Sequence, residues 1–191
     1  MKKSLEGKKV AILVTDGFEE KEFTQPMEAL KDAKADVDVV SLKSGKVESW
    51  KKTEWGNEYD VDETVKNADP TRYDALVLPG GVMNPDKLRM DEDAVAFVSH
   101  FVQTGKPIAA ICHGPWTLIE TGGVAGRTMT SYPSLKTDLK NAGANWVDEE
   151  VVVDRGWVTS RKPADLDAFC DKMIEEISEG IHANRVAAAR M

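Results

Sequence analysis

The chain is poor in several groups that common functions require. It has only two cysteines, Cys112 and Cys170, and three histidines, His100, His113 and His182, among 191 residues. Two thiols make no disulfide framework, and in a reducing compartment each is a free thiol to be read separately. The histidines stand far apart and form no motif such as His-Glu-x-x-His, so no metal site is expected. Basic residues are outnumbered, 25 against 33 acidic, for a net charge of −8. That argues against a nucleic-acid partner, which needs a basic face. No apolar run approaches the ~18 residues of a membrane span. The five-residue run Val10 to Val14, behind a basic start, is too short for a signal-peptide core, so a cytoplasmic protein is expected. There is no Walker loop. The segment after the first apolar run, Thr15-Asp16-Gly17-Phe18-Glu19-Glu20, has one glycine where a dinucleotide site needs three. Its two glutamates would repel a phosphate, which disfavours NAD and flavin mononucleotide, and no cofactor is expected.

What is present is an ordinary globular composition, 41% apolar and 30% charged, in a length that suits a single domain over 1–191. Short apolar runs alternate with amphipathic ones. Val10–Val14, Val37–Leu42, Ala75–Leu78 and Pro107–Ile111 read as strands buried on both faces. Phe18–Lys34, Asp91–Thr104, Trp116–Thr121, Pro133–Ala142 and Pro163–Glu179 read as helices, the first kinked or divided by Pro26. Lys43–Asp60 reads as a small hairpin excursion and Val151–Ser160 as a hairpin around Arg155-Gly156. The Ala- and Arg-rich tail from Ile181 to Met191 reads as a fraying helix. This alternation predicts an α/β layered fold with a mostly parallel sheet, in which ligands bind outside the carboxyl ends of the strands.

Three strand ends therefore matter: Thr15–Glu20, Pro79-Gly80-Gly81 and Cys112-His113-Gly114. A residue between a buried strand and a helix sits on a sharp turn with its side chain exposed above the sheet. A helix N-terminus behind Cys112 would favour its thiolate, the reactive form. His113 is a general base or a cover for the helix start. Glu19 either completes a capping box with Asp16 or stands beside Cys112. Asp86, in Asn84-Pro85-Asp86, either complements a helix start capped by Asn84 or contributes a carboxylate to the site. Cys170 lies on the apolar stripe of the last helix and reads as core.

With these motifs on the page, the sequence resembles the PfpI-type intracellular proteases, a branch of the superfamily that also contains the Parkinson-associated deglycase and redox chaperone. The resemblance runs from Lys8 to Glu179, leaving 180–191 as a tail. It is carried by Thr15-Asp16-Gly17-Phe18-Glu19, Asp74–Gly81, Lys106–Pro115, Thr130-Ser131-Tyr132-Pro133 and Ser160–Leu166, in family order. It implies a flavodoxin-like three-layer sandwich that forms homodimers, sometimes stacked into hexamers. It also implies Cys112 as nucleophile, His113 as its partner, Glu19 as the buried glutamate, and backbone N–H groups of Gly81 and His113 as oxyanion donors. The family's third triad member, a glutamate from a neighbouring subunit, matches Asp86, which is one methylene shorter and follows one extra residue.

Two functions follow. One is a stress-response cysteine enzyme in which Cys112 attacks a carbonyl, either a peptide amide or methylglyoxal and its glycated adducts. The other is a redox-sensing stress protein or chaperone acting through oxidation of Cys112. A carboxylate beside a thiolate opposes its ionisation. Glu19 next to Cys112 is therefore expected to be protonated and to donate its O–H to sulfur. Trp50, Trp55 and Trp157, in polar hairpin-like segments, are expected to lie in a dimer interface.

Overall fold

The computed structural model describes residues 3–181; the predicted helix of the tail lies outside them except for Ile181. The chain runs β1 (Lys9–Leu13), β2 (Phe18–Glu19), α1 (Glu20–Asp32), β3 (Asp36–Ser41), β4 (Lys46–Lys51), β5 (Glu54–Asp60), β6 (Glu63–Thr64) and β7 (Ala75–Leu78). It continues with α2 (Met83–Leu88), α3 (Glu92–Thr104), β8 (Ile108–Ile111), α4 (Pro115–Ile119), β9 (Thr128–Met129), α5 (Lys136–Asn141), β10 (Asn145–Trp146), β11 (Val151–Asp154), β12 (Trp157–Ser160) and α6 (Leu166–Glu179). Among the described residues no helix is long and apolar enough to cross a membrane.

A seven-stranded sheet in the order β11-β12-β8-β7-β1-β3-β6 forms the middle layer. All neighbours are parallel except the hairpin β11–β12. Its central strands bury both faces, as their continuous apolar runs require. Val10, Ile12 and Val14 of the first run, with Val77 and Ile111, point to one core, where Phe23 and Leu30 of α1 meet Phe169, Met173 and Ile177 of α6. Ala11, Leu13, Leu76, Leu78, Ile108 and Ala110 point to the other, filled by Val98 and Phe101 of α3, Leu118 of α4 and Leu139 of α5. The period-two alternation thus assigns each strand residue to one of two helical layers. The expected three-layer α/β sandwich is the observed one.

Three local expectations are corrected, and one of the two outcomes expected at Pro26 is excluded. Pro26 lies inside α1 without dividing it. It withholds a single N–H, the one that would reach the carbonyl of Glu22, while Phe23 and Leu30 anchor the helix on either side. Asp16 is not the helix cap; its carboxylate accepts from the Glu48 N–H (2.9 Å) and pairs with Lys43 (2.7 Å). The residue at the cap position is Glu19, whose side chain makes no capping bond. Trp157 is no interface residue of an exposed hairpin: it is 3% exposed, lies in the second core, and carries the Arg127 guanidinium 3.8 Å from its ring centroid. The strand β12 pairs with β8 through Trp157↔Ile108 and so becomes interior. Trp50 and Trp55 do pack on each other edge to face across the β4–β5 hairpin (5.4 Å), with Trp55 48% exposed.

Asn84 does not cap α2. It is fully buried, and its side chain ties two strand ends together. Its Oδ1 accepts from the Thr15 N–H (2.8 Å), and its Nδ2 donates to the carbonyls of Pro79 (3.0 Å) and Gly80 (3.1 Å). Asn84→Ala would orphan the Thr15 N–H and the Pro79 carbonyl and leave the Gly80 carbonyl only its long bond from the Glu19 N–H (3.4 Å), so we expect a loss of roughly 2–4 kcal/mol in urea unfolding. Asn84→Asp, which keeps the acceptor and loses both donors, should be no better than alanine.

Candidate functional site

The carboxyl ends of β1, β7 and β8 converge where the strand order reverses, with β3 on one side of β1 and β7 on the other. Cys112 follows β8 directly and adopts φ +62°, a left-handed conformation disfavoured for a residue with a side chain. The turn is held on both sides: the Cys112 N–H donates to the Ser160 carbonyl (3.0 Å), and its carbonyl accepts from the Tyr132 N–H (2.9 Å). Such strain at a strand-to-helix turn aims the side chain out of the sheet.

The carboxyl beside this thiol belongs to Glu22, not Glu19. Glu22 is fully buried on the first turn of α1 and interacts with the Cys112 sulfur. Its Oε2 accepts from the Gly80 N–H (3.0 Å), while Oε1 has no hydrogen-bond partner. A side chain on Gly80 would collide with both the Glu22 carboxyl and Cys112, so glycine is what permits the approach. Glu19 precedes the helix in β2 and is only half-buried; it acts on Glu22 as a neighbouring charge. Glu22 carried a signal in the sequence: it lies four residues before Pro26, on the stripe that continues to Leu30. A carboxylate on a buried helical stripe is either paired or functional.

Burial pushes the Glu22 carboxyl up to about 8, the negative field of Glu19 adding to the effect. At neutral pH it is therefore protonated and can donate to sulfur. Burial pushes the Cys112 thiol up, and the Glu22 carboxyl adds to this once it has lost its proton. The N–H groups of Gly81 and His113 oppose this by hydrogen-bonding the sulfur. Gly81 sits at φ +77°, where a side chain would strike the Gly17 carbonyl and the backbone of Phe18 and Glu19.

His113 does face its neighbour. Its Nδ1 lies 3.2 Å from the Cys112 sulfur and its Nε2 3.2 Å from the Ser134 hydroxyl. The ring stacks on Tyr132 (4.9 Å between centroids) and meets Trp116 edge-on (5.4 Å). Burial lowers its pKa, which keeps the imidazole neutral at pH 7. For Nδ1 to accept the thiol proton, the ring must carry its own proton on Nε2 and donate it to the Ser134 hydroxyl, which can accept it. Ser134 was not singled out in the sequence, since a serine two residues past a tyrosine carries no distinguishing pattern. Asp86 is exposed on α2 and makes no side-chain hydrogen bond or ion pair among the described residues.

The sign of the Glu22 shift gives a pH prediction. The folded state retains a proton up to about pH 8 that an ordinary carboxyl releases near 4.5. This group's contribution to stability is complete below pH 4.5 and is lost as pH rises to 8. Urea midpoints should fall across that window in the wild type, and Glu22→Gln should flatten the slope. In alkylation followed at residue 112, Glu22→Leu should raise the apparent thiol pKa and Glu22→Gln raise it less. A lower value in the leucine variant would mean an ionised neighbour.

Comparisons with known proteins give the chain its relatives. The sequence profile described as the DJ-1/PfpI family matches residues 8–176. Bacillus subtilis YraA, whose name marks it as a candidate cysteine protease, is 44% identical over 85% of this chain and 94% of its own. The protein/nucleic acid deglycase 2 of Escherichia coli is 44% identical over 85% and 93%. General stress protein 18 of Bacillus subtilis is 42% identical over 85% and 94%. A solved two-domain protein from Anabaena variabilis, with DJ-1/ThiJ/PfpI-like and ferritin-like domains, superposes with a TM-score of 0.84 at 37% identity. The match covers 89% of this chain and 48% of that longer one.

Proposed function

This chain belongs to the DJ-1/PfpI family, and we propose that it is a stress-response cysteine enzyme whose Cys112 adds to the carbonyl of a small aldehyde or glycated adduct. The observation that carries this reading is the placement of the Glu22 carboxyl and the His113 Nδ1 against one sulfur. His113 takes the thiol proton, the sulfur forms a bond to the carbonyl carbon, and the carbonyl π pair moves onto oxygen. The N–H groups of Gly81 and His113 hold the negative charge first on sulfur and then on oxygen. A proton from Glu22 or the imidazolium completes the thiohemiacetal.

The choice of aldehyde over amide is supported by what His113 touches. Expelling an amine requires an imidazolium that holds its proton for the leaving group, and in triads a carboxylate stabilises that charge. Here the Nε2 partner is a neutral hydroxyl. Addition to an aldehyde expels no amine, and a glycated thiol releases a thiol, which leaves without a strong acid. Asp86 bears on peptidase activity only if a second copy presents it. Its neighbours on and beside α2, Val82 (55% exposed) and Met90 (76% exposed), are apolar and suit such a contact. Sedimentation at micromolar concentration tests that association.

Methylglyoxal, a glycated thiol and a fluorogenic peptide should be compared in Tris-free buffer. Turnover of the first two, abolished by Cys112→Ala, is expected; peptide cleavage without aldehyde turnover would overturn the proposal. Ser134→Ala should lower kcat about threefold to tenfold and displace its pH profile, with Ser134→Thr restoring both.

The second reading, redox signalling, is favoured by the same protonated carboxyl, which can donate to an oxygen added to the sulfur. Graded peroxide with site-resolved mass spectrometry separates the two: a Cys112 that stays reduced while Cys170 oxidises removes it.

A further inference from the structure

Beside the thiol site lies an open pocket of about 310 Å³ lined by Glu19, Glu20, Lys21, Lys51, Lys52 and Pro163. Three elements meet there: the start of α1, the tip of the β4–β5 hairpin, and the loop between β12 and α6. Two of its walls are fastened to the catalytic turn. Glu19 packs its backbone against Gly81, whose N–H bonds the Cys112 sulfur. Pro163 stands three residues beyond Ser160, whose carbonyl holds the Cys112 N–H.

The charge in this pocket runs against that of the molecule. The chain carries a net −8, yet the wall has three lysines against two glutamates. Glu20 is already satisfied. Its Oε1 accepts from Ser49, Asn57 and Tyr59, and its Oε2 pairs with Lys51 (3.4 Å). Lys21 acts on Glu19 electrostatically without closing an ion pair, and Lys52 makes no ion pair among the described residues. Lys52 is held at φ +57° at the hairpin tip, where its carbonyl accepts the Trp50 indole N–H (2.9 Å). Two exposed lysines thus line the pocket with no carboxylate bound to them among the described residues.

We propose that this pocket is a subsite for an anionic group, carboxylate or phosphate, on the carbonyl compound that Cys112 attacks, with Lys21 and Lys52 as its specificity-determining residues. The inference rests on the carbonyl-addition reading above and adds the substrate's charge. Unpaired cations beside a thiol raise the local concentration of anions. They favour an anionic reagent over a neutral one of the same shape.

The test is the rate of Cys112 modification by iodoacetate, an anion, relative to iodoacetamide, its neutral analogue. Both are measured at low salt with mass spectrometry resolved to residue 112, and glutathione gives the reference ratio. The wild type should exceed that reference. Lys21→Gln/Lys52→Gln should lower the ratio on the order of threefold to tenfold, the effect of removing two solvated charges from the neighbourhood, and 0.5 M sodium chloride should do the same. Lys140→Gln, on α5, should leave it unchanged. Inorganic phosphate and acetate, each added against iodoacetamide, identify the anion by which one protects Cys112. An unchanged ratio in the double variant, or protection by neither anion, overturns the subsite. Failure of every aldehyde to turn over, with the ratio still lysine-dependent, would instead overturn the reaction and leave the subsite standing.

Discussion

The site depends on one close approach, that of the buried Glu22 carboxyl to the sulfur of Cys112. Neither group tolerates a charge easily where it stands, because both are out of water. The approach needs a missing side chain at Gly80, a left-handed backbone at Cys112, and a helix that starts beside the ends of β1 and β7. Each condition is met by a different part of the fold, so the contact exists only when the sheet and α1 are assembled.

The chemistry follows from that burial. A carboxyl kept protonated at neutral pH does not repel a forming thiolate, and it offers a hydrogen bond in place of a charge. The neutral His113, held between Cys112 and Ser134 and stacked on Tyr132, supplies a proton acceptor to the same sulfur. Two backbone N–H groups add fixed dipoles that need no reorganisation when charge moves. The same arrangement serves addition to a carbonyl and hydrogen bonding to an oxidised sulfur, which is why one family geometry suits both readings.

The supports around the site are polar and buried. Asn84 joins the segment after β1 to the turn after β7 by three hydrogen bonds. Asp16 ties that same segment to the β4–β5 hairpin through the Glu48 N–H. The hairpin is thereby brought over the first turn of α1, where Glu20 gathers Ser49, Asn57 and Tyr59. An excursion that looks peripheral in the chain becomes one wall of a pocket next to the thiol.

The sequence by itself determined the layers, the long buried strands and the cysteine at a strand end, while the two-residue strands β2, β6, β9 and β10 escaped it. Continuous apolar runs of four to six residues can only be strands covered on both faces, and a cysteine at the end of such a run has one place to point. It also marked the turns that hold Gly81 and His113, while their part as backbone donors came only with the family resemblance. It put the wrong carboxylate against the sulfur, Glu19 in place of Glu22. Glu19 and Glu22 are three residues apart, nearly one helical turn, so periodicity alone does not separate them. The boundary between β2 and α1 decides it: Glu19 remains in a strand paired with β4, and Glu22 turns inward with the helix. Trp157 shows the same limit, because its hairpin becomes interior only when β12 pairs with β8. Local pattern reports which residues can be buried; only the packing of one element against another reports what they are buried against.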